Sequence, residues 1–365
     1  MSALSHARAL LLTPTAATIA LGQLASFLVA SNGASASELA ILGVDIPTLQ
    51  LTFNYALLAI WYGLRGGRGW WHGDRSAGRP GIRVYALLAL VDVEANAAAI
   101  TAYQLTSLSS VLLLGCAAIP FSMLLSAYAL GHVYTCVHLC GAVLCVAGLG
   151  VIVAVDSMRN PGAAAGSAPV AGDALALAAA ALYAISNVGQ EAIYAACGNA
   201  VLGGGGISGG VGTIDGVSTD SAADGFEGGR ESGDPQSEFL AATGAFGALL
   251  AIVQGLALGE GARAATVSHA APDAPLLVCV FSLCTFFLYS VIARFLARAD
   301  AAFLNLSLLS SDLWGVLFSL VARGTLPLPL YWLALALVTA GLSLYATAPP
   351  PRRVNGGHSS FVFFR

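Results

Sequence analysis

Residues 82–130 read IRVYALLALVDVEANAAAITAYQLTSLSSVLLLGCAAIPFSMLLSAYAL, and Arg83, Asp92 and Glu94 are the charged residues among them. A helix needs about 20 apolar residues to cross the hydrocarbon core of a bilayer. The stretch holds two such runs, 82–104 and 107–130, joined across Gln104-Leu105-Thr106. A link that short makes the two helices antiparallel neighbours. Working outward, the first half adds runs at 8–30, 46–64 and 133–154. The second half has 172–196, 238–259, 275–297, 302–322 and 327–347. The expectation is an all-α polytopic membrane protein with ten transmembrane helices. The run at 8–30 exceeds the 7–15 residue apolar core of a signal peptide and reads as a span.

Composition supports lipid as the solvent. Charged residues make up 9% of the 365-residue chain, against roughly 25% in an ordinary soluble domain. Hydrophobic residues reach 57% and mean hydropathy is +0.80. A water-soluble globule must present a polar exterior, and there is too little polar surface here to cover one. All fifteen basic residues are arginine, the net charge is −4, and no basic patch suggests nucleic acid. Seven cysteines form no CxxC pair, so they read as small apolar residues rather than as metal ligands or disulfides. No cofactor or metal is expected. The implied partners are a small-molecule solute and the bilayer, and the architecture allows a homodimer.

Arginine placement sets the topology. With a cytosolic N-terminus, Arg8, Arg65, Arg68, Arg75, Arg79, Arg83, Arg230, Arg294, Arg298, Arg352, Arg353 and Arg365 are cytosolic. Only Arg159, Arg263 and Arg323 lie opposite. That positive-inside bias puts both termini in the cytosol and requires an even number of spans. The chain then divides into a first five-helix repeat (1–154), a non-cytosolic loop (155–171), a second repeat (172–347) and a cytosolic tail (348–365). A Gly-rich, low-complexity insert at 197–237 interrupts the second repeat. Its composition, like that of the tail, cannot pack a core and reads as disorder.

Two echoes relate the halves. Leu108-Ser-Ser-Val-Leu-Leu-Leu114 in span 4 answers Phe303-Leu-Asn-Leu-Ser-Leu-Leu309 in span 9, and Cys145-Val-Ala-Gly-Leu149 answers Val338-Thr-Ala-Gly-Leu342. Because each unit has an odd number of spans, the second repeat is inverted relative to the first. In that architecture the solute site lies near the midplane.

Polar groups inside the spans then mark a path, since an ionisable residue at the bilayer centre costs about 2.5–3.5 kcal/mol to insert. Asp92 and Glu94 fall mid-span 3 and point to different helix faces; Asn96 shares the face of Asp92. In span 6, Tyr183, Asn187 and Glu191 follow an i, i+4, i+8 rhythm with Gln190 beside them, and span 9 places Asn305 and Asp312 on one face. Gln23 and Asn54 read as interhelical glue, and Arg294 as a candidate structural partner for the carboxylates. Glu94 is the expected proton carrier, with Asp312 contributing less. No arginine lies centrally in a span, which favours a neutral or cationic solute over a phosphorylated one. No G-x-S-x-G, H-E-x-x-H or P-loop is present, so the chain does not read as an enzyme.

The stretch 90–126, together with ALYAISNVGQEAIY at 181–194 and LNLSLLSSDLW at 304–314, resembles solute carrier family 35, subgroup F (the F1/F2/F6-type branch), of the drug/metabolite transporter superfamily. LGQLASFLVA and FNYALLAIWYG match it more loosely. The resemblance implies two inverted five-helix repeats, both ends cytosolic, and alternating-access transport of a small polar solute, with nucleosides, nucleobases and vitamins as favoured classes. Two positions depart from the family pattern. Gln190-Glu191 stands where two acids are usual, and Ala97 where an aromatic often follows. The competing expectations are a nucleotide-sugar transporter or antiporter, and a receptor-like or scaffolding membrane protein that transports nothing.

Overall fold

The structure is a computed structural model that describes residues 14–42, 44, 46–65, 80–106, 111, 114–159, 168–204, 234–264, 274–311, 313–315, 317, 329–349 and 351–353. Its elements are α1 (Pro14–Ile41), α2 (Pro47–Leu64), α3 (Ile82–Leu105), α4 (Ala118–Leu130), β1 (His132–Val133), α5 (Cys136–Arg159), α6 (Pro169–Gly204), α7 (Pro235–Ala257), α8 (Ala274–Leu296), α9 (Ala301–Leu308), α10 (Pro329–Thr347) and β2 (Arg352–Arg353). Five of the helices open on proline. Proline suits the first helical position because its missing N–H would have had no intrahelical partner there. Asp234 caps α7 by accepting from the Ser237 backbone N–H at 3.2 Å, and Asp300 caps α9 by accepting from Phe303 N–H at 2.9 Å.

Segments of α1, α3, α6, α7 and α8 are long and apolar enough to cross a membrane, and shorter apolar helices lie within α4, α5 and α10. Large apolar side chains point outward all round, among them Leu64, Leu124, Tyr128, Val143, Leu249 and Trp332. Such an exterior is stable in hydrocarbon. The protein is an all-α, multi-pass membrane protein.

The main helix contacts join α1 with α8, α2 with α7, α3 with α6 and α5 with α10, while α4 packs against both α6 and α9. Small residues let two of these pairs approach at backbone distance, as is common where lipid removes the hydrophobic drive for association. A Cβ added to Gly244 on α7 would lie 2.7 Å from the Tyr55 carbonyl oxygen of α2, and one on Gly141 of α5 would lie 2.8 Å from the Gly341 carbonyl oxygen of α10.

Four polar contacts fix which helix ends lie together. Tyr85 at the start of α3 donates to Glu238 at the start of α7, and Tyr62 near the end of α2 donates to Ser290 near the end of α8. At the opposite end, Thr106 donates to Asp173, and the Glu260 carboxylate accepts the Leu49 backbone N–H at 2.8 Å.

Both echoing segments are interrupted. At Cys116–Ala117, Pro120 has no N–H to offer the Cys116 carbonyl, which accepts from Ile119 N–H instead. At Leu309–Ser310, the Ser307 carbonyl is taken by the hydroxyls of Ser26 and Ser310, and Leu309 N–H turns to Leu306.

Several boundaries differ from expectation. The insert 197–237 contracts, because α6 continues to Gly204 and α7 starts at Pro235. The tail is not wholly outside the fold: Arg353 pairs with His132 and Arg352 with Val133 in an antiparallel bridge that joins the tail to the α4–α5 link.

Candidate solute and coupling site

Asp92 sits in the middle of α3 and is 7% exposed. Its carboxylate is held by hydroxyls from three other helices. Tyr55 of α2 donates to Oδ2 at 2.7 Å, Tyr289 of α8 donates to the same oxygen, and Ser186 of α6 donates to Oδ1 at 3.2 Å. The ladder continues outward, since Asn96 donates to the Tyr289 hydroxyl at 3.3 Å and Tyr183 donates to Asn96 Oδ1 at 3.0 Å. Burying a carboxylate is tolerable only when its oxygens are hydrogen-bonded, and these three donors are all neutral hydroxyls. A solute that brings its own hydrogen-bond donor or positive charge can therefore compete for this carboxylate. Asn96, Tyr183 and Asn187 are half-buried.

The α6 stripe is a seam, each member reaching a different place. Asn187 donates to Asn305 Oδ1 at 3.3 Å, while the Asn305 amide donates to Ser122 of α4 and to the Ala301 carbonyl. Gln190 is buried and donates to the Tyr194 hydroxyl. Glu191 accepts the Ala301 backbone N–H at 2.9 Å, at the first residue of α9, and its other oxygen lies 3.5 Å from His132 Nε2. Next to it, Asp300 also accepts from the Tyr345 hydroxyl at 2.9 Å. Burial raises the pKa of Asp300 in this link between α8 and α9, partly offset by those two hydrogen bonds.

Glu94 stands apart. Two residues from Asp92, it is rotated about 200° around the helix and lies exposed on the face of Leu87 and Leu90. The structure does not bring it to the Asp92 cluster. Asp312 lies outside the described residues. Arg294 is exposed in the last turn of α8, and hydroxyls fill the partner role assigned to it. Gln23 does act as glue, accepting from Ser310 at 3.2 Å. Asn54 is fully buried, and neither of its amide atoms has a hydrogen-bond partner among the described residues.

Sequence reading missed Tyr55, Tyr289 and Ser186. Tyr289 sits in an aromatic run whose only polar neighbours are Thr285 and Ser290, and Tyr55 had only its neighbour Asn54 as a signal.

A family model described as solute carrier family 35, in its F branch, matches residues 13–214 and 214–347. The chain belongs to solute carrier family 35, subgroup F. This subgroup F chain is 31% identical over 346 residues to solute carrier family 35 member F2 of Mus musculus, covering 91% of the chain and 79% of that relative. It is 30% identical over 194 residues to the member F2 of Xenopus tropicalis, covering 48% of the chain and 46% of that relative. A solved crystal structure shares the fold with a TM-score of 0.60 at 16% identity, over 90% of this chain and 96% of the other. Membership makes this subgroup F protein a membrane transporter of the family.

Proposed function

We propose that this protein is a secondary transporter of a neutral or cationic organic solute, working by alternating access, with Asp92 as its central binding and coupling group. The observation that carries the reading is a buried carboxylate at the meeting of α2, α3, α6 and α8, held by hydroxyls alone. An anionic solute would meet that carboxylate unfavourably. A proton is the natural coupling ion, because a solute or a proton can take the place of a tyrosine hydroxyl at Asp92 in turn. The decisive experiment is uptake by the purified protein in proteoliposomes over a panel of nucleosides, nucleobases, vitamins and nucleotide sugars. Saturable uptake of a nucleotide sugar, with none of the uncharged or cationic solutes, would overturn the solute class.

The architecture we propose is ten spans in two inverted five-helix repeats. Under that symmetry α2–α7, α4–α9 and α5–α10 map onto themselves, while α1–α8 and α3–α6 exchange, and contacts of all five kinds are present, which supports this reading. The interruptions at Cys116–Ala117 and Leu309–Ser310 occupy matching places in spans 4 and 9, and broken helices of this kind flank transporter sites. Both termini and the segment around 205–230 are cytosolic in this reading. Tags placed at these three positions should be digested by protease added from the cytosolic side, and protection of any one of them in sealed vesicles would refute it.

Glu191 has a structural part in this scheme: it ties α6 to the start of α9 at one end of the bundle. Glu191→Ala leaves the Ala301 N–H without its acceptor. The expected result is faster solute exchange with a weakened apparent affinity, measured by counterflow. An unchanged exchange rate and affinity would remove Glu191 from the moving parts.

A further inference from the structure

The end of the bundle that carries the α2–α3 and α8–α9 links segregates its charges. The described acids there are turned inward or used as caps. Glu238 is buried against Tyr85, Asp234 caps α7, and Glu191 and Asp300 bind the start of α9. The arginines face out: Arg65, Arg83, Arg294 and Arg298 are all exposed. Among the described residues, no carboxylate lies within salt-bridge distance of Arg65, Arg294 or Arg298.

Three of these arginines lie on one seam. Tyr62 donates to Ser290 at 2.7 Å and Trp61 meets Phe286 with ring centroids 6.3 Å apart, so the last turns of α2 and α8 run side by side. Arg65 follows on α2, its guanidinium 4.6 Å from the centre of the Trp61 ring. Arg294 ends α8, and Arg298 folds back to donate to the Arg294 carbonyl at 2.9 Å. Directly below, toward the membrane interior, the surface is apolar and exposed: Ile60, Trp61, Leu64 and Phe287. A cationic rim over an apolar, lipid-facing wall suits an amphipathic anion.

We propose that the seam of α2 and α8 binds an acidic phospholipid, its headgroup phosphate held by Arg65, Arg294 and Arg298 and its acyl chains lying along Trp61 and Phe287. Guanidinium groups suit a phosphate because they offer paired N–H donors in one plane. A free phosphate would use only the rim, whereas a lipid uses the wall as well. The site does not depend on the transport reading.

The test is native mass spectrometry of the full chain in detergent, titrated with phosphatidylserine or phosphatidylcholine. The expected result is preferential retention of phosphatidylserine that weakens as salt is raised. Each arginine should contribute about fivefold to that preference, so the triple variant Arg65→Gln, Arg294→Gln, Arg298→Gln should lose about a hundredfold. The corresponding triple Lys variant should keep most of the preference, and Arg263→Gln, at the opposite end, should keep all of it. Unchanged preference in the triple Gln variant would overturn the proposal. So would displacement of the lipid by millimolar inorganic phosphate, which would identify a free-anion site. If the triple Gln variant proves unstable, the Lys variant carries the decision: loss of preference with charge retained would contradict a headgroup site. A failed flux assay would leave this result untouched.

Discussion

Asp92→Asn should reduce saturable solute uptake by about a hundredfold while leaving the protein folded and inserted. The substitution keeps the shape of the side chain and removes its charge. Hydrogen bonds to a charged group are each worth about 1.5–3 kcal/mol, and the carboxylate accepts from Tyr55, Tyr289 and Ser186. An asparagine offers one carbonyl oxygen to these donors and turns an N–H₂ group toward the others. Whatever cation or proton the carboxylate attracts is lost as well. Tyr55→Phe and Tyr289→Phe should each weaken apparent affinity by about tenfold, since each removes one of the hydroxyls that hold the carboxylate in place. Glu94→Gln should stay within about twofold of the unsubstituted protein, because that side chain faces away from the cluster. If Glu94→Gln abolished uptake and Asp92→Asn did not, the roles of the two carboxylates would be reversed.

The second large effect concerns packing. Gly244→Leu should collapse the yield of folded protein, measured as the monodisperse fraction after extraction in mild detergent. The backbone of α2 lies against Gly244, with the Tyr55 carbonyl oxygen 2.7 Å from where a Cβ would be. Overpacking typically costs 1–3 kcal/mol, and more where the obstacle is backbone. The strain would also displace Tyr55 from Asp92, so any surviving protein should transport poorly. Gly33→Leu is the matched control, since a Cβ there meets nothing within 4 Å. Equal yields from the two variants would show that the α2–α7 approach is looser than described.

Much of the fold was legible because bilayer thickness fixes the length of an apolar run. The runs at 82–104, 238–259 and 275–297 correspond within a few residues to α3, α7 and α8. The site was harder to read. A membrane helix is apolar on every side, so sequence shows that Asp92 and Glu94 face different ways without showing which way is inward. Exposure of Leu87 and Leu90 on the side of Glu94 decides the matter, and that requires the neighbouring helices. The α6 stripe was legible because its spacing repeats on one face. Tyr55 and Tyr289 were not, since a tyrosine in an aromatic span looks the same whether its hydroxyl meets a carboxylate or a lipid headgroup. The bridge between Arg352–Arg353 and His132–Val133 joins two segments far apart in the chain with no local signal in either.

The central claim is tested most directly by solute uptake into proteoliposomes holding the purified protein, the Asp92→Asn variant or the Glu94→Gln variant, each followed across a range of external pH. The account predicts saturable, pH-dependent uptake of an uncharged or cationic solute that survives Glu94→Gln and is lost in Asp92→Asn. Equal uptake with an unchanged pH profile in the Asp92→Asn variant would contradict it.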